Sequence, residues 1–247
     1  MSNVHVFATI LDGLTLNHFY QDPADLTVQS DTSATFVEQV DGATVELSGA
    51  DFSYDDNRIV SGEIHEIIFA NGKGKPYLTC TDLKLDASLV PDIAAADGFD
   101  AEAIVNRVLS VNNTLTGSDS SDDLYGRGSD DLVFGRAGDD WINGGRGNDR
   151  LIGGDGQDVF ESGIHGGHDV VTDFDVNGGA DLRDWISLNA SSYSTQATDK
   201  GVKILFGDHD SLLLLNLDRS DIRRIYVSLT FEGEAPVFHG EAPGWHH

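Results

Sequence analysis

A nine-residue repeat between residues 117 and 161 constrains the fold of this chain more than any other feature. Read in frame, the segment divides into the units GSDSSDDLY, GRGSDDLVF, GRAGDDWIN, GGRGNDRLI and GGDGQDVFE. The first place is always glycine: Gly117, Gly126, Gly135, Gly144 and Gly153. The sixth place is always aspartate: Asp122, Asp131, Asp140, Asp149 and Asp158. The eighth place is always a large apolar residue: Leu124, Val133, Ile142, Leu151 and Phe160. Because the first, sixth and eighth places each keep one class of residue over five units, the segment is a structural repeat.

Each unit predicts a turn followed by a short strand. Six residues rich in glycine and aspartate form the turn, and three residues centred on one apolar side chain form the strand. Glycine is expected because a tight loop demands positive φ and close backbone approach. Loop carbonyls and the aspartate then supply hard oxygen ligands without a thiol or an imidazole, which suits calcium. One loop supplies only about half of the six to eight oxygens that calcium takes, so two stacked loops would complete a site.

This repeat resembles the RTX (repeats-in-toxin) nonapeptide, which builds a parallel β-roll. The resemblance is most specific over residues 117–161 and implies an all-β fold with calcium as cofactor. In the family each unit is half a coil. Loops that begin at Gly117, Gly135 and Gly153 would therefore stack on one side, and the two between them on the other. The implied ligands are the sixth-place aspartates and loop carbonyls, which fall on Gly117, Asp119, Asp122, Gly126, Gly128, Asp131, Gly135, Ala137, Gly138, Asp140, Gly144, Arg146, Gly147, Asp149, Gly153, Asp155, Gly156, Asp158, Asp169 and Asp173.

The first two units depart from the family pattern. Ser118 and Ser120 stand where the family has glycine, and Ser129 replaces the fourth-place glycine of the second unit. The outermost calcium site therefore matches the family pattern less well than the sites formed by the later loops, 135–140, 144–149 and 153–158.

A degenerate sixth unit follows two extra residues, 162–163. Asp169 takes its aspartate place and Val171 its apolar place. RTX rolls commonly close with an aspartate, a strand and a second aspartate before phenylalanine, and Asp169 and Asp173 match that pattern. The resemblance thus implies that these two residues ligate the last ion. Counting adjacent loops on the same side predicts about four calcium ions.

The charge balance of the chain excludes some partners and predicts how the repeat behaves without metal. The 247 residues include 42 acidic and 15 basic ones, for a formal net charge of −27. Nucleic acids and anionic membranes both need a basic surface, so neither is an expected partner. Without cations, crowded carboxylates repel each other and should leave the repeats largely disordered. Calcium binding and folding are then one process.

Several features point to an extracellular protein without a membrane span. The first residues show neither a basic segment nor a long apolar run, so no N-terminal signal peptide is expected. The longest apolar run, 212–215, is far too short to cross a bilayer. Extracellular calcium modules work at about 10⁻⁴–10⁻³ M, well above the cytosolic level. The resemblance to RTX proteins implies export by bacterial type I secretion machinery, with an uncleaved signal in residues 231–247.

The rest of the chain predicts β-structure on both sides of the repeats. We expect a β-rich N-terminal domain at 1–110, the roll at 111–175, and a C-terminal β cap with the secretion signal at 176–247. In the first domain, Asp41-Gly42 predicts a hairpin turn between 34–40 and 43–47. This domain could be a sandwich or a stack that continues and caps the roll.

Further local predictions complete this pattern. Asp100 is predicted to be the N-cap of a short helix that buries Ile104, Val105 and Val108. Strands are expected at 64–70 and 77–85 before the repeats, and at 185–188, 202–206, 212–217 and 225–229 after them. Cys80 is the only cysteine, which rules out an intramolecular disulfide and predicts a buried structural thiol.

No catalytic motif is visible. His65-Glu66 opens like a zinc-protease motif, but Phe69 stands where the second histidine belongs. Neither a nucleophile elbow nor a phosphate-binding loop is present. One hypothesis is a secreted, non-catalytic calcium-binding protein for extracellular binding, adhesion or matrix formation. The alternative is a small extracellular enzyme, a hydrolase or polysaccharide-active protein, with residues 1–110 as its catalytic part. Self-assembly through an exposed sheet edge is a third option.

Overall fold

The computed structural model shows an almost entirely β protein, which confirms the predicted fold class. It describes residues 2–6, 24–38, 44–55, 58–74, 76–81, 83–87, 111–177, 183–229 and 237–238. Contacts divide the chain into two compact units, Met1–Thr114 and Leu115–His247. The division into three domains at 110 and 175 stays a prediction.

The N-terminal unit contains an antiparallel sheet. Its strands are β1 (Ser2–Val6), β2 (Ala24–Gln29), β3 (Ser33–Glu38), β4 (Thr44–Asp55), β5 (Arg58–Ala70), β6 (Pro76–Thr81) and β7 (Leu85–Asp86). Their order in the sheet is β1-β6-β5-β4-β3-β2, and β7 pairs with β5. The predicted strand pair around residues 34–47 is present as β3 and β4. The turn at Asp41-Gly42 and the helix after Asp100 lie outside the described residues.

Alternation along these strands separates an apolar face from a polar one. The buried side chains include Ala34, Phe36, Val45, Leu47, Ile64, Ile67, Phe69 and Cys80. Burial raises the pKa of the Cys80 thiol to about 12, so this cysteine is protonated and structural, as expected. On the exposed face, His65 Nε2 lies 2.7 Å from Glu63 Oε1.

The second unit contains two sheets built from the repeats and the segment after them, and its first strand begins at Asn113, two residues before the unit boundary. Its strands are β8 (Asn113–Thr116), β9 (Asp123–Tyr125), β10 (Leu132–Ala137), β11 (Trp141–Asn143), β12 (Arg150–Asp155), β13 (Val159–Gly163), β14 (His168–Val171), β15 (Trp185–Asn189), β16 (Tyr193–Ala197), β17 (Gly201–Phe206), β18 (Asp210–Leu215), β19 (Tyr226–Leu229) and β20 (Val237–Phe238). Asp221–Arg224 forms a 3₁₀ turn before β19. One sheet has the order β8-β10-β12-β14-β18-β17-β16, and the other has β9-β11-β13-β15-β19-β20.

Consecutive repeat units alternate between the two sheets. Within a sheet the repeat strands are parallel, and the partner of each residue lies one full coil further along the chain, as in Val133 beside Leu151 and Ile142 beside Phe160. Every eighth-place side chain is buried between the sheets: Leu124, Val133, Ile142, Leu151 and Phe160 are each 0% exposed. This arrangement is a parallel β-roll, as predicted. The buried eighth-place side chains hold each strand in place and thereby position the loops that precede and follow it.

The strands predicted after the repeats are present and extend the same two sheets. β15 pairs in parallel with β13, and β19 with β15. β18 pairs in parallel with β14 and continues into an antiparallel meander with β17 and β16. The residues after the roll therefore cover the last repeat strands in both sheets.

Candidate metal centre

The repeat loops lie in two stacks, one at each edge of the roll. Loops 117–122, 135–140 and 153–158 form what we call the first stack. Loops 126–131, 144–149 and 164–169 form the second stack. Backbone bonds hold neighbours together, as from Gly117 N–H to Phe134 O (2.8 Å) and from Gly126 N–H to Asn143 O (2.8 Å). Loops alternate between the two edges, in the arrangement that the resemblance implied.

One oxygen of Asp140, Asp149 and Asp158 accepts a hydrogen bond from the preceding loop of its stack, whereas Asp122, in a first loop, accepts from Ser118 N–H of its own loop (2.6 Å). Oδ1 of Asp140 accepts from Asp122 N–H at 2.8 Å, and Oδ1 of Asp158 accepts from Asp140 N–H at 3.0 Å. In the second stack, Asp149 Oδ1 accepts from Asp131 N–H at 2.8 Å. The sixth-place aspartates are at most 3% exposed. This contact sets the register between neighbouring loops.

The second oxygen of several of these carboxylates has no protein donor. Among the described residues, Asp122 Oδ1 and the Oδ2 atoms of Asp140, Asp149 and Asp158 are buried without a hydrogen-bond partner. A buried anionic oxygen without a partner is costly, and a cation or a proton removes that cost. These oxygens therefore fit a set of cation ligands.

First-place glycines are required because the carboxylates approach the backbone. A Cβ on Gly135 would lie 2.2 Å from Asp140 Oδ2 and 2.4 Å from Gly153 O. A Cβ on Gly153 would lie 2.1 Å from Asp158 Oδ2. The first-place glycines are not among the residues with positive φ. At this place the expectation of positive φ was wrong, and close approach alone explains the glycine.

Fourth-place glycines combine both reasons. Gly138, Gly147 and Gly156 have φ of 116°, 141° and 140°. A Cβ on each would lie 2.0–2.4 Å from the backbone of the preceding loop in the stack. Ser120 and Ser129, which depart from the pattern, occupy the first loop of each stack, where no repeat loop precedes them. A fourth-place glycine is needed only where another repeat loop precedes its own loop in the stack.

Burial makes the charged form of these carboxylates unfavourable. Desolvation raises the pKa of Asp140 to about 8, and the neighbouring carboxylates of Asp158 and Asp122 add to the rise. Desolvation likewise raises the pKa of Asp149 and Asp158 to about 6 and that of Asp169 to about 7. At neutral pH the loops therefore hold several carboxylates at or near the point where they ionise.

The two closing aspartates belong to different stacks. Asp169 Oδ1 accepts from Asp149 N–H (3.1 Å), which places it in the second stack. Asp173 accepts from Gly153 N–H (3.1 Å) and Gly154 N–H (3.0 Å), which places it in the first. Asp149 precedes β12 and Gly153 lies within it, with the extended residues 150–152 between them, so the two carboxylates lie toward opposite edges of the roll. A single last ion shared by Asp169 and Asp173 was therefore a wrong expectation.

Asp184 closes the first stack, and the sequence reasoning missed it. Its Oδ1 accepts from Asp158 N–H (3.1 Å) and its Oδ2 from Asp175 N–H (2.7 Å). It is 4% exposed, and desolvation raises its pKa to about 7. The triplet Asp-Trp-Ile at 140–142 recurs at 184–186 and would have revealed the register. The separation of 26 residues from Asp158, instead of 18, concealed it.

The donor set in the loops consists of carboxylates and backbone carbonyls. Within the described ranges, no group of three or more His, Cys, Asp or Glu side chains is arranged to hold a metal ion. A cation between two loops must therefore take most of its ligands from backbone carbonyls. Such an all-oxygen set suits a hard cation of high coordination number.

Comparison with known proteins identifies this repeat. The family model of the RTX calcium-binding nonapeptide repeat, in four copies, matches residues 110–142 and 134–164. The chain carries RTX calcium-binding repeats. Calcium is therefore the cofactor of this RTX roll.

Other comparisons add little to the RTX match. The solution structure of the AlgE6R3 subunit from the Azotobacter vinelandii mannuronan C5-epimerase is similar over 56% of this chain and 87% of that chain, with 20% identity and a TM-score of 0.37. No curated protein matches the sequence. Over the described ranges, no helix has the length and apolar character needed to cross a membrane.

Proposed function

We propose that this chain is a secreted protein whose RTX roll folds outside the cell on binding about four calcium ions. We further propose that it acts there without catalysis, in binding, adhesion or matrix formation. The observation that carries the proposal is the row of buried carboxylate oxygens that lack a protein donor.

Neighbouring loops of one stack would share each ion. The proposed pairs of carboxylates are Asp122 with Asp140, Asp140 with Asp158, Asp131 with Asp149, and Asp149 with Asp169. Loop carbonyls at the first, third and fourth places would supply the remaining oxygens. When bound, calcium supplies positive charge and a coordination shell large enough to take oxygens from two loops.

In three of these sites the aspartate of the later loop (Asp140, Asp149 or Asp158) has two tasks. Its Oδ1 holds the preceding loop in register through a backbone N–H, as in Asp140 with Asp122. Its other oxygen is left for the ion. Because the same side chain aligns the two loops and offers an oxygen to the ion, the loops stack and the calcium site forms in a single step.

The charge of the chain and the nature of the repeats support secretion. A net charge of −27 opposes compaction in a calcium-poor compartment. Weak sites of this kind are filled at extracellular calcium, about 10⁻⁴–10⁻³ M. RTX repeats are typical of secreted proteins, and the proposed route is export of the unfolded chain by type I secretion machinery. Residues 231–247 would carry the export signal.

The non-catalytic role rests on the sequence, which contains none of the protease, esterase or nucleotide-binding motifs considered above. The N-terminal unit would then contact the extracellular ligand or surface, and the roll would act as its folding switch and spacer.

Ion counting tests the calcium part of this proposal. We expect calorimetric titration of the full chain to show about four calcium ions, and magnesium to substitute poorly because it prefers a smaller octahedral shell. Equal affinity for both ions would contradict the proposed sites. For secretion, deletion of residues 231–247 should abolish export by a type I apparatus, while deletion of a segment of equal length from the N-terminal unit should not.

A further inference from the structure

The fifth place of the repeat also follows a rule. Its residues are Ser121, Asp130, Asp139, Asn148 and Gln157. They differ in charge and length, but each has a side-chain oxygen that can accept a hydrogen bond. The four residues from Ser121 to Asn148 are exposed, so burial does not explain the restriction.

These oxygens accept hydrogen bonds from the next loop in the same stack. In the first stack, Ser121 Oγ accepts from Asp139 N–H (3.1 Å), and Asp139 Oδ1 accepts from Gln157 N–H (2.9 Å). In the second stack, Asp130 Oδ1 accepts from Asn148 N–H (2.7 Å), and Asn148 Oδ1 accepts from His168 N–H (3.1 Å). We call this series the fifth-place ladder.

The fifth-place ladder runs opposite to the sixth-place contacts. Asp139 accepts from the loop that follows it, whereas Asp140 accepts from the loop that precedes it. Each of the four neighbouring loop pairs therefore has one side-chain-to-backbone bond in each direction. Two adjacent bonds of opposite direction fix the register, because sliding one loop past the other would break both.

We propose that the fifth-place side chains are positioning residues for the calcium sites, and that they act as hydrogen-bond acceptors rather than as charges or ligands. This inference rests on the proposed calcium sites. The ladder leaves the sixth-place oxygens that face the ion untouched, and it holds the two carboxylates of a site at a fixed separation. Preorganisation of this kind lowers the cost of assembling the site when calcium binds.

Charge alone does not account for the pattern. Only two of the five residues are acidic, so a carboxylate charge is not what the five share. Asn148 makes the same contact as Asp130 and Asp139 with a neutral amide. The chain thus already contains a neutral residue in the same role.

The experiment compares Asp139→Ala with Asp139→Asn in the full chain, with Asp208→Ala as a charge control. Asp208 is an exposed acid in the turn between β17 and β18. The calcium concentration at half-maximal folding is measured by circular dichroism. We expect Asp139→Ala to raise this midpoint about three- to tenfold, the effect of losing one hydrogen bond. The midpoint of Asp139→Asn should stay within about twofold of that of the parent chain, and the midpoint of Asp208→Ala should equal that of the parent chain.

Amide hydrogen exchange at saturating calcium gives the second readout. The Gln157 N–H should lose protection in Asp139→Ala and keep it in Asp139→Asn, because only the alanine lacks an acceptor. If Asp139→Ala does not fold at any calcium concentration, Ser121→Ala and Ser121→Asn replace it. There the Asp139 N–H is followed, and only asparagine should preserve its protection.

Two results would overturn the inference. Equal losses in Asp139→Ala and Asp139→Asn would mean that charge or ligation matters, and parental behaviour of both would mean that the ladder positions nothing. Both results differ from the one expected if the proposed function is wrong. In that case the parent chain itself would not fold on addition of calcium.

Discussion

At the scale of single residues, the sixth-place aspartate shows why asparagine cannot replace it. Asp140 Oδ1 accepts a backbone N–H, and Asp140 Oδ2 is buried without a donor. An amide could keep the first contact, but it would place an NH₂ group where the anionic oxygen belongs. The side chain must be both an acceptor and an anion.

We therefore expect Asp140→Asn and Asp149→Asn to raise the calcium concentration at the folding midpoint about tenfold or more. Asp123→Asn removes the same charge outside the ligand register and should have little effect. Circular dichroism during calcium titration measures all three. Equal shifts in the three variants would show that total charge, rather than register, controls folding.

At the scale of the loop, position within a stack decides which substitutions are tolerated. Ser129 and Gly147 occupy the same place in successive loops. Ser129 has φ of 78° in the first loop, and a Cβ on Gly147 would lie 2.2 Å from Ser129 O. The same side chain is therefore tolerable at the end of the stack and excluded within it.

The pair supports a reciprocal prediction for stability. Ser129→Gly should stabilise the calcium-bound roll by about 1 kcal/mol, because an L-residue with positive φ is strained. Gly147→Ser should destabilise it by at least about 3 kcal/mol through strain and overlap. Urea unfolding in saturating calcium measures both. A stable Gly147→Ser variant would contradict the stacking described here.

The elements also show which parts of the fold could be predicted from the sequence. The repeat predicted the strands and the buried eighth-place residues, because each depends on a few neighbouring residues, whereas the alternation of loops between two sides was implied by the resemblance to the RTX family. Asp184 was missed, since its half-coil is longer and begins with Asp173 in place of glycine. The fifth-place ladder was missed because Ser, Asp, Asn and Gln are different residue types that share only a side-chain acceptor oxygen.

The order of strands in the N-terminal unit could not be predicted for a different reason. Alternation indicated where strands lie, but β1 pairs with β6, where Val4 lies opposite Cys80. Such long-range pairing depends on how several apolar faces pack together, and no short motif encodes it. Local turn signals specify only the neighbouring pairs, such as β3 with β4.

At the scale of the whole molecule, proton binding and calcium binding should substitute for each other. In the calcium-free roll, burial raises the pKa of Asp140 to about 8 and that of Asp169 to about 7. The folded chain therefore binds protons more tightly than the unfolded chain, whose aspartates titrate near 3.9. By linkage, the stability of the calcium-free roll falls as pH rises from about 4 to about 8.

We therefore expect the chain in calcium-depleted buffer to contain more β-structure at about pH 5 than at about pH 8. The gain in β-structure on adding calcium should be larger at the higher pH, because calcium then replaces no protons. Circular dichroism at low protein concentration checks this dependence. A calcium-free chain that becomes more structured as pH rises would contradict the assigned burial of the carboxylates.

We infer that, at neutral pH, the loops of the roll stack only when a cation compensates the carboxylates between them. Small-angle scattering of the full chain at neutral pH, with a strong chelator and then with millimolar calcium, tests it most directly. We predict an expanded central region in chelator and a clear fall in the radius of gyration with calcium, accompanied by a gain in β-structure. A chain that is already compact in chelator, and unchanged by calcium, would contradict the account.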